Sequence, residues 1–155
     1  MADSVYPFTT FNFSVEINQG TDGKPLVNAA FSDCDGLEMS MEVKTIREGG
    51  GNDRQIRLNG PVSYGQVTLK RGMTDNFDLW KWFHDTVDQP RLRANADVVL
   101  LAADGATERV RFRLERCVPV KLKAPALNAK DGQIAIEELQ IAYETMRFNP
   151  SDPLN

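Results

Sequence analysis

Few side chains in this sequence are of a kind that does chemistry, and their spacing assembles no reaction centre. The lone histidine, His84, stands between Phe83 and Asp85 in a helical stretch, where a packing or surface role outweighs that of a general base. Cys34 and Cys117 lie far apart with no second thiol or histidine beside either, so zinc-ligand spacing is missing. They read as buried free thiols of a reducing compartment. Asp33 with Asp35, and Glu137 with Glu138, can be drawn as carboxylate dyads. Neighbours along a strand point to opposite faces, however, so Glu137 and Glu138 diverge unless a bulge realigns them. Neither G-x-S-x-G nor H-E-x-x-H occurs. The run IREGGGNDRQIRLNGP, from Ile46 to Pro61, invites comparison with a phosphate cradle, yet it lacks the lysine-serine or lysine-threonine ending and the following helix that a P-loop needs. The expectation is a protein with no catalytic set, no metal and no cofactor.

Arg109, Arg111 and Arg113 are the other charged feature. On one strand face they span roughly 13 Å, a spacing that suits phosphates or a neighbour's carboxylates. The plainer reading is a solvated face balanced by Glu38, Glu42 or Glu115. The whole chain, with 18 basic and 22 acidic side chains and a net charge of −4, is a poor match for a dedicated nucleic-acid binder.

The elements that must position these groups are mostly strands. Phe11, Phe13, Val15 and Ile17 alternate with polar residues, and turn formers from Asn18 to Pro25 should reverse the chain into a strand holding Val27, Ala29 and Phe31. A third strand places Met39, Met41 and Val43 on one face and Glu38, Ser40, Glu42 and Lys44 on the other. The stretch from Ile46 to Pro61 reads as a long loop without a core of its own, and such loops are often functional. Val67 and Leu69 mark a half-buried strand whose wet face holds Gln66, Thr68 and Lys70. Gly72 ends it, and Thr74 or Asp75 is placed to cap a helix. On that helix Phe77, Trp80, Phe83, His84 and Val87 recur at spacings of three or four, with Leu79 and Trp82 widening the apolar face. This load is large for one short helix, and some of it suits burial against another subunit.

Further on, the run around Ala96 to Leu101 suits a strand covered on both sides, and Asp104-Gly105 signals a type I′ hairpin into Val110, Phe112 and Leu114. Pro119 and Pro125 bracket a short edge or corner strand. Ile134 and Ile136 fall out of phase with Leu139, Ile141 and Tyr143, which predicts a bulge near Glu137-Glu138. The total is a mainly β chain, a two-sheet sandwich or partly closed β-barrel with one external α-helix, in a single domain over residues 1–155. Within it the core spans 8–147, an extended loop 44–60, and a polar tail 148–155. No run is long and apolar enough to span a membrane, and MADSVYPFTTF lacks the order of a secretory signal.

The order of the pieces carries a resemblance. FNFSVEI, FSDCDGLEM, the IREGG loop, LNGPVSYGQVTLKRGMT, LWKWF, and a late ALNA before IAIEELQIAYE resemble the tail tube proteins of contractile phages. They are most similar to the inner-tube subunits of phage-derived contractile injection systems, over about residues 8 to 147. The resemblance implies a structural subunit that forms hexameric rings, stacked into a hollow tube which a sheath drives into a target envelope. The implied partners are copies of the chain, a sheath protein, baseplate, spike and tube-terminating proteins, and effector cargo in the lumen, with no membrane anchor and no sequence-specific nucleic acid. It implies assembly in the bacterial cytoplasm into an injection particle, or a virion if the tube belongs to a phage. By that resemblance residues 44–60 reach an adjacent subunit or ring. The expected interface residues are Arg47, Glu48, Gly49, Gly50, Gly51, Asn52 and Arg54, with Trp80 and Trp82 shared between core and contact. Glu38, Ser40, Glu42, Gln66 and Thr68 are expected to line the lumen. A tube conducting phage DNA and a monomeric β-sandwich binding module are the competing readings.

Overall fold

The computed structural model describes residues 12–18, 25–29, 31–47, 49–50, 55–130 and 132–150. Ten strands and one helix run in the order β1 (Phe13–Asn18), β2 (Pro25–Ala29), β3 (Asp33–Asp35), β4 (Met39–Ile46), β5 (Ile56–Tyr64), β6 (Gln66–Gly72), α1 (Asp78–Asp88), β7 (Ala94–Leu101), β8 (Glu108–Lys123), β9 (Ile136–Ala142) and β10 (Thr145–Pro150). Eight strands form one antiparallel array ordered β2-β1-β7-β8-β9-β6-β3, with β10 also paired to β8, while β4 and β5 pair only with each other. The array is an open path. Neither end strand, β2 or β3, has a strand on its outer side among the described residues.

Its spine is a long ribbon. β8 pairs with β9 through Val118 to Lys123 and with β10 through Val110 to Glu115, so the chain from Ile136 to Pro150 runs back along almost all of β8. The ribbon bends at one corner. There Arg116 has φ of 54°, an unusual left-handed backbone for a residue with a side chain, and the ladder between β7 and β8 shifts register. Glu144 N–H donates to the Glu115 carbonyl at 3.1 Å, and the Arg116 guanidinium meets Glu144 at 2.7 Å. The bend lets Val15, Ile17, Ala96, Val98 and Leu114 from one half pack on Val67, Leu69, Leu139 and Ile141 from the other. Leu79 and Trp82 of α1 join that same core.

The mainly β fold with one helix matches the sequence expectation, and several local readings change. There is no bulge at Glu137-Glu138: the ladder of β9 with β6 is unbroken from Ile136 to Ala142. The odd positions Glu137, Leu139, Ile141 and Tyr143 all face inward, and Ile134 and Ile136 are simply exposed. Glu137, 1% exposed, continues the inward row as a buried charge. The irregularity lies instead on β8 at Pro119, where a residue without an N–H is tolerated, and β8 runs through Pro119 as one strand rather than two. The Asp104-Gly105 hairpin forms, but only Gly105 has positive φ (73°), so the turn is not type I′. Gly105 N–H closes it on the Ala102 carbonyl, and Asp104 accepts from the Ala106 and Thr107 amides.

The helix starts later than Thr74 or Asp75. Phe77 is its N-cap residue, without a side-chain cap, and Asn76 Oδ1 accepts from the Asp78 amide at 3.0 Å. Its face is also rotated from the expected one: Leu79 and Trp82 are buried, whereas Phe77 and Val87 are 56% and 64% exposed. Residues 148–150, expected in the polar tail, end β10 and pair with β8. Phe148 sits opposite Phe112 in the ladder, with ring centroids 5.6 Å apart.

Candidate assembly interface

The extended loop expected over 44–60 has paired strand at both its ends, 44–46 in β4 and 56–60 in β5. Register runs from Met39 opposite Tyr64 to Ile46 opposite Ile56. β-branched and aliphatic residues (Val43, Ile46, Ile56, Val62) suit the extended backbone, which the glycines and charges at the centre of the run obscured. The register shifts once, where Gly60 and Pro61 face Glu42. Proline cannot donate to a ladder, and a side chain at residue 60 would place its Cβ 2.6 Å from the Glu42 carbonyl oxygen, so a glycine must accompany the irregularity.

This arm has no interior. Every residue of β4 is exposed, and Met39, Met41, Val43, Ile46, Leu58 and Val62 are each 44–56% accessible. Directly paired residues share a face, so Met39, Met41, Val43 and Val62 form one apolar row with Tyr64 at its base. The other face begins polar, with the Ser40 and Ser63 hydroxyls 2.8 Å apart, and becomes apolar towards Leu58, Ile46 and Ile56. An isolated two-stranded hairpin is marginal in water, and a contiguous exposed apolar row marks a contact surface.

At the root, glycine and tyrosine fix the chain. Gly36 has φ of 103°, and a Cβ there would lie 2.0 Å from the Gln66 carbonyl oxygen. The Tyr143 hydroxyl lies 3.0 Å from the carbonyl oxygens of both Gly36 and Glu38 and 3.3 Å from the Glu38 amide nitrogen. Burial of this phenol, more than any other influence, pushes its pKa up.

The expected interface residues fall in several places. Arg47, Gly49 and Gly50 are exposed at the tip, where Gly50 has φ of 100°. Glu48, Gly51, Asn52 and Arg54 lie outside the described residues. Trp82 is corrected: it is 0% exposed within its own chain, so no part of it is left for a neighbour. Trp80 is half-buried, and its indole N–H donates to Glu137 at 2.9 Å. Of the residues expected to line a lumen, Glu38, Ser40 and Glu42 are exposed at the root and on the arm, while Gln66 and Thr68 belong to β6 of the larger array. They lie on two separate sheets.

Two buried charge clusters escaped the sequence reading. Arg71 (4% exposed) and Glu137 (1% exposed) are paired through Nε and Oε1 at 2.5 Å. The same guanidinium donates to the Asn76 carbonyl at 3.0 Å and lies 5.7 Å from the Phe31 ring centroid. On the opposite sheet half, Asp97 is 6% exposed and accepts from Arg111 at 2.7 Å and from Arg113 at 3.0 Å. Arg111 also donates to Glu108 at 2.8 Å, which lowers the Glu108 pKa and raises that of Arg111. These arginines are therefore balanced by Asp97 and Glu108 rather than by Glu38 or Glu42, and Glu115 pairs with Arg147 at 2.7 Å. The signal was available in the period: Arg71 is in phase with Val67 and Leu69, and Glu137 with Leu139 and Ile141.

Among the described residues no group of three His, Cys, Asp or Glu side chains is placed to hold a metal ion. No described helix is long and apolar enough to cross a membrane. The described residues thus form an open antiparallel array, one helix and a two-stranded hairpin with an exposed apolar row. Residues 9–147 match the family model of the T4-like virus tail tube protein gp19, and the chain belongs to that family. A chain in the cryo-EM structure of the anti-feeding prophage (AFP) baseplate is similar at 26% identity and a TM-score of 0.84, covering 95% of this chain and 98% of that one. A chain in the sheath-tube complex of the extracellular contractile injection system PVC, in its extended state, shares the fold at 19% identity and a TM-score of 0.80, covering 94% and 93%. Another, in the AFP tube terminating cap, shares it at 18% identity and a TM-score of 0.80, covering 97% and 96%. No curated protein matches the sequence. The chain is a tail tube-like protein, similar to components of contractile injection systems.

Proposed function

We propose that this chain is the structural subunit of the hollow inner tube of a contractile injection system. Copies close into hexameric rings, the rings stack, a sheath surrounds the stack, and baseplate, spike and terminator proteins bound its ends. Cargo occupies the lumen, and the chain itself carries out no reaction. The observation that carries this reading is the arm of β4 and β5, whose apolar row stands clear of the chain's own core. An unsatisfied hairpin and two open array ends are a liability in a monomer and an asset in a closed head-to-tail assembly, where a neighbour covers each. Tail tube membership and the likeness to AFP and PVC components support the same reading.

In this reading Arg47, Glu48, Gly49, Gly50, Gly51, Asn52 and Arg54 seat the arm's tip on the adjacent copy, and Trp80 lies beside that contact. Glu38, Ser40, Glu42, Gln66 and Thr68 present a polar wall to the lumen. The test is negative-stain microscopy of the purified chain beside a Met41→Asp, Val62→Asp variant. The unaltered chain should form rings or tubes. The variant should stay unassembled with its melting temperature within about 2 °C, because both side chains are exposed and surface changes cost within about 0.5 kcal/mol. Tubes of normal length from the variant would remove the arm from the interface.

A further inference from the structure

The root of the arm, where Leu37 and Tyr64 pack against the core, converges on one tyrosine. Its chain enters at Gly36 to Glu38 and leaves at Tyr64-Gly65, and both sides converge on Tyr143. The phenol takes the Glu38 N–H and donates its single proton to one of two carbonyl oxygens, Gly36 or Glu38, both at 3.0 Å. The ring packs at 5.8 Å, centroid to centroid, on Tyr64, and Gly65 N–H closes the root on the Glu38 carbonyl. Tyr143 itself stands between β9 and β10, next to the corner braced by Arg116 and Glu144. The arm is thereby fastened beside the bend of the body at Arg116. Among the described residues no strand of the main array pairs with β4 or β5.

We propose that Tyr143 is the positioning residue of the arm: its hydroxyl sets the direction in which the hairpin leaves the body, so that the apolar row is held out ready for a second copy of this chain. The inference rests on the reading of the arm as an assembly contact. A hairpin swinging about Gly36 and Gly65 must be ordered at each docking event, and ordering opposes association. A hairpin already held at its root by two hydrogen bonds of one phenol does not carry that loss.

Tyr143→Phe keeps the ring and its packing on Tyr64 and removes only the hydroxyl. Three readouts are taken from one preparation: trypsin cleavage of the unassembled chain at Lys44, Arg47 and Arg57, the urea transition followed by emission of Trp80 and the buried Trp82, and the concentration at which tubes appear. The expected result is arm cleavage about tenfold faster and a tube threshold about tenfold higher, with the native tryptophan emission unchanged. Arm cleavage equal to the unaltered chain overturns the proposal. So does a red-shifted native tryptophan emission together with arm loosening, which makes Tyr143 a residue of the core. Gly36→Ala disturbs the root from the other side by driving a Cβ into the Gln66 carbonyl, and leaves the phenol in place. If Gly36→Ala loosens the arm and Tyr143→Phe does not, the glycine turn and not the hydroxyl sets the direction. Failure of the unaltered chain to form tubes would defeat the assembly reading, while the cleavage ratio still decides on Tyr143.

Discussion

The buried pair of Arg71 and Glu137 should be far more costly to lose one half at a time than together. Glu137→Leu leaves a guanidinium that is 4% exposed with only the Asn76 carbonyl and the Phe31 ring for company. A guanidinium cannot shed its proton, so the cost should be about 3–5 kcal/mol. Arg71→Met leaves a carboxylate that is 1% exposed and keeps only the Trp80 indole donor, and should cost about as much. The double variant removes both charges and should recover most of the stability, since apolar replacement of a buried pair is often near neutral. Urea unfolding followed by tryptophan emission, as a double-mutant cycle, reads all three values. Simply additive single losses would refute the reasoning.

Burial raises the Cys34 pKa to about 11 and the Cys117 pKa to about 12, so neither thiol should react with Ellman's reagent at pH 8 until the chain is unfolded. Because both folded values lie above the ordinary 9.0, the stability held by the neutral thiols is whole below pH 9 and is lost as pH rises through 11 and 12. An alkaline urea titration should show that decline, and instant labelling of Cys117 in the folded chain would contradict it. Asp97→Asn weakens three charge-assisted bonds from Arg111 and Arg113 and should cost about 1–3 kcal/mol in thermal unfolding, with helix content unchanged. An unaltered melting temperature would mean that these arginines need no buried partner.

The alternating strands of the body were legible because one wet and one dry face leave a period-two trace, as in Phe13 to Asn18. Half of the arm was legible too, since Met39, Met41 and Val43 alternate with polar residues along β4. Its other half was not, because β5 from Ile56 to Tyr64 answers to no core of this chain, carries Gly60-Pro61 in mid-strand, and follows a GGG that reads as a loop. The aromatic helix misled in the opposite sense. Its many apolar residues fit two overlapping stripes, and the body chose Leu79 and Trp82, leaving Phe77 and Val87 outside. Ile134 and Ile136 produced a false bulge, since both are exposed apolar residues out of phase with the buried row, which Glu137 continues through its partner Arg71, 66 residues away. Tyr143 looked like one more core aromatic. Only the fold shows that its hydroxyl reaches the backbone of residues 36 and 38.

The most direct measurement is a cryo-EM reconstruction of whatever the purified chain forms at high concentration. The account predicts stacked six-fold rings around an open lumen, with the Met39, Met41, Val43 and Val62 row of each copy covered by a neighbouring copy. A compact monomer, or rings in which that row stays in solvent, would contradict it.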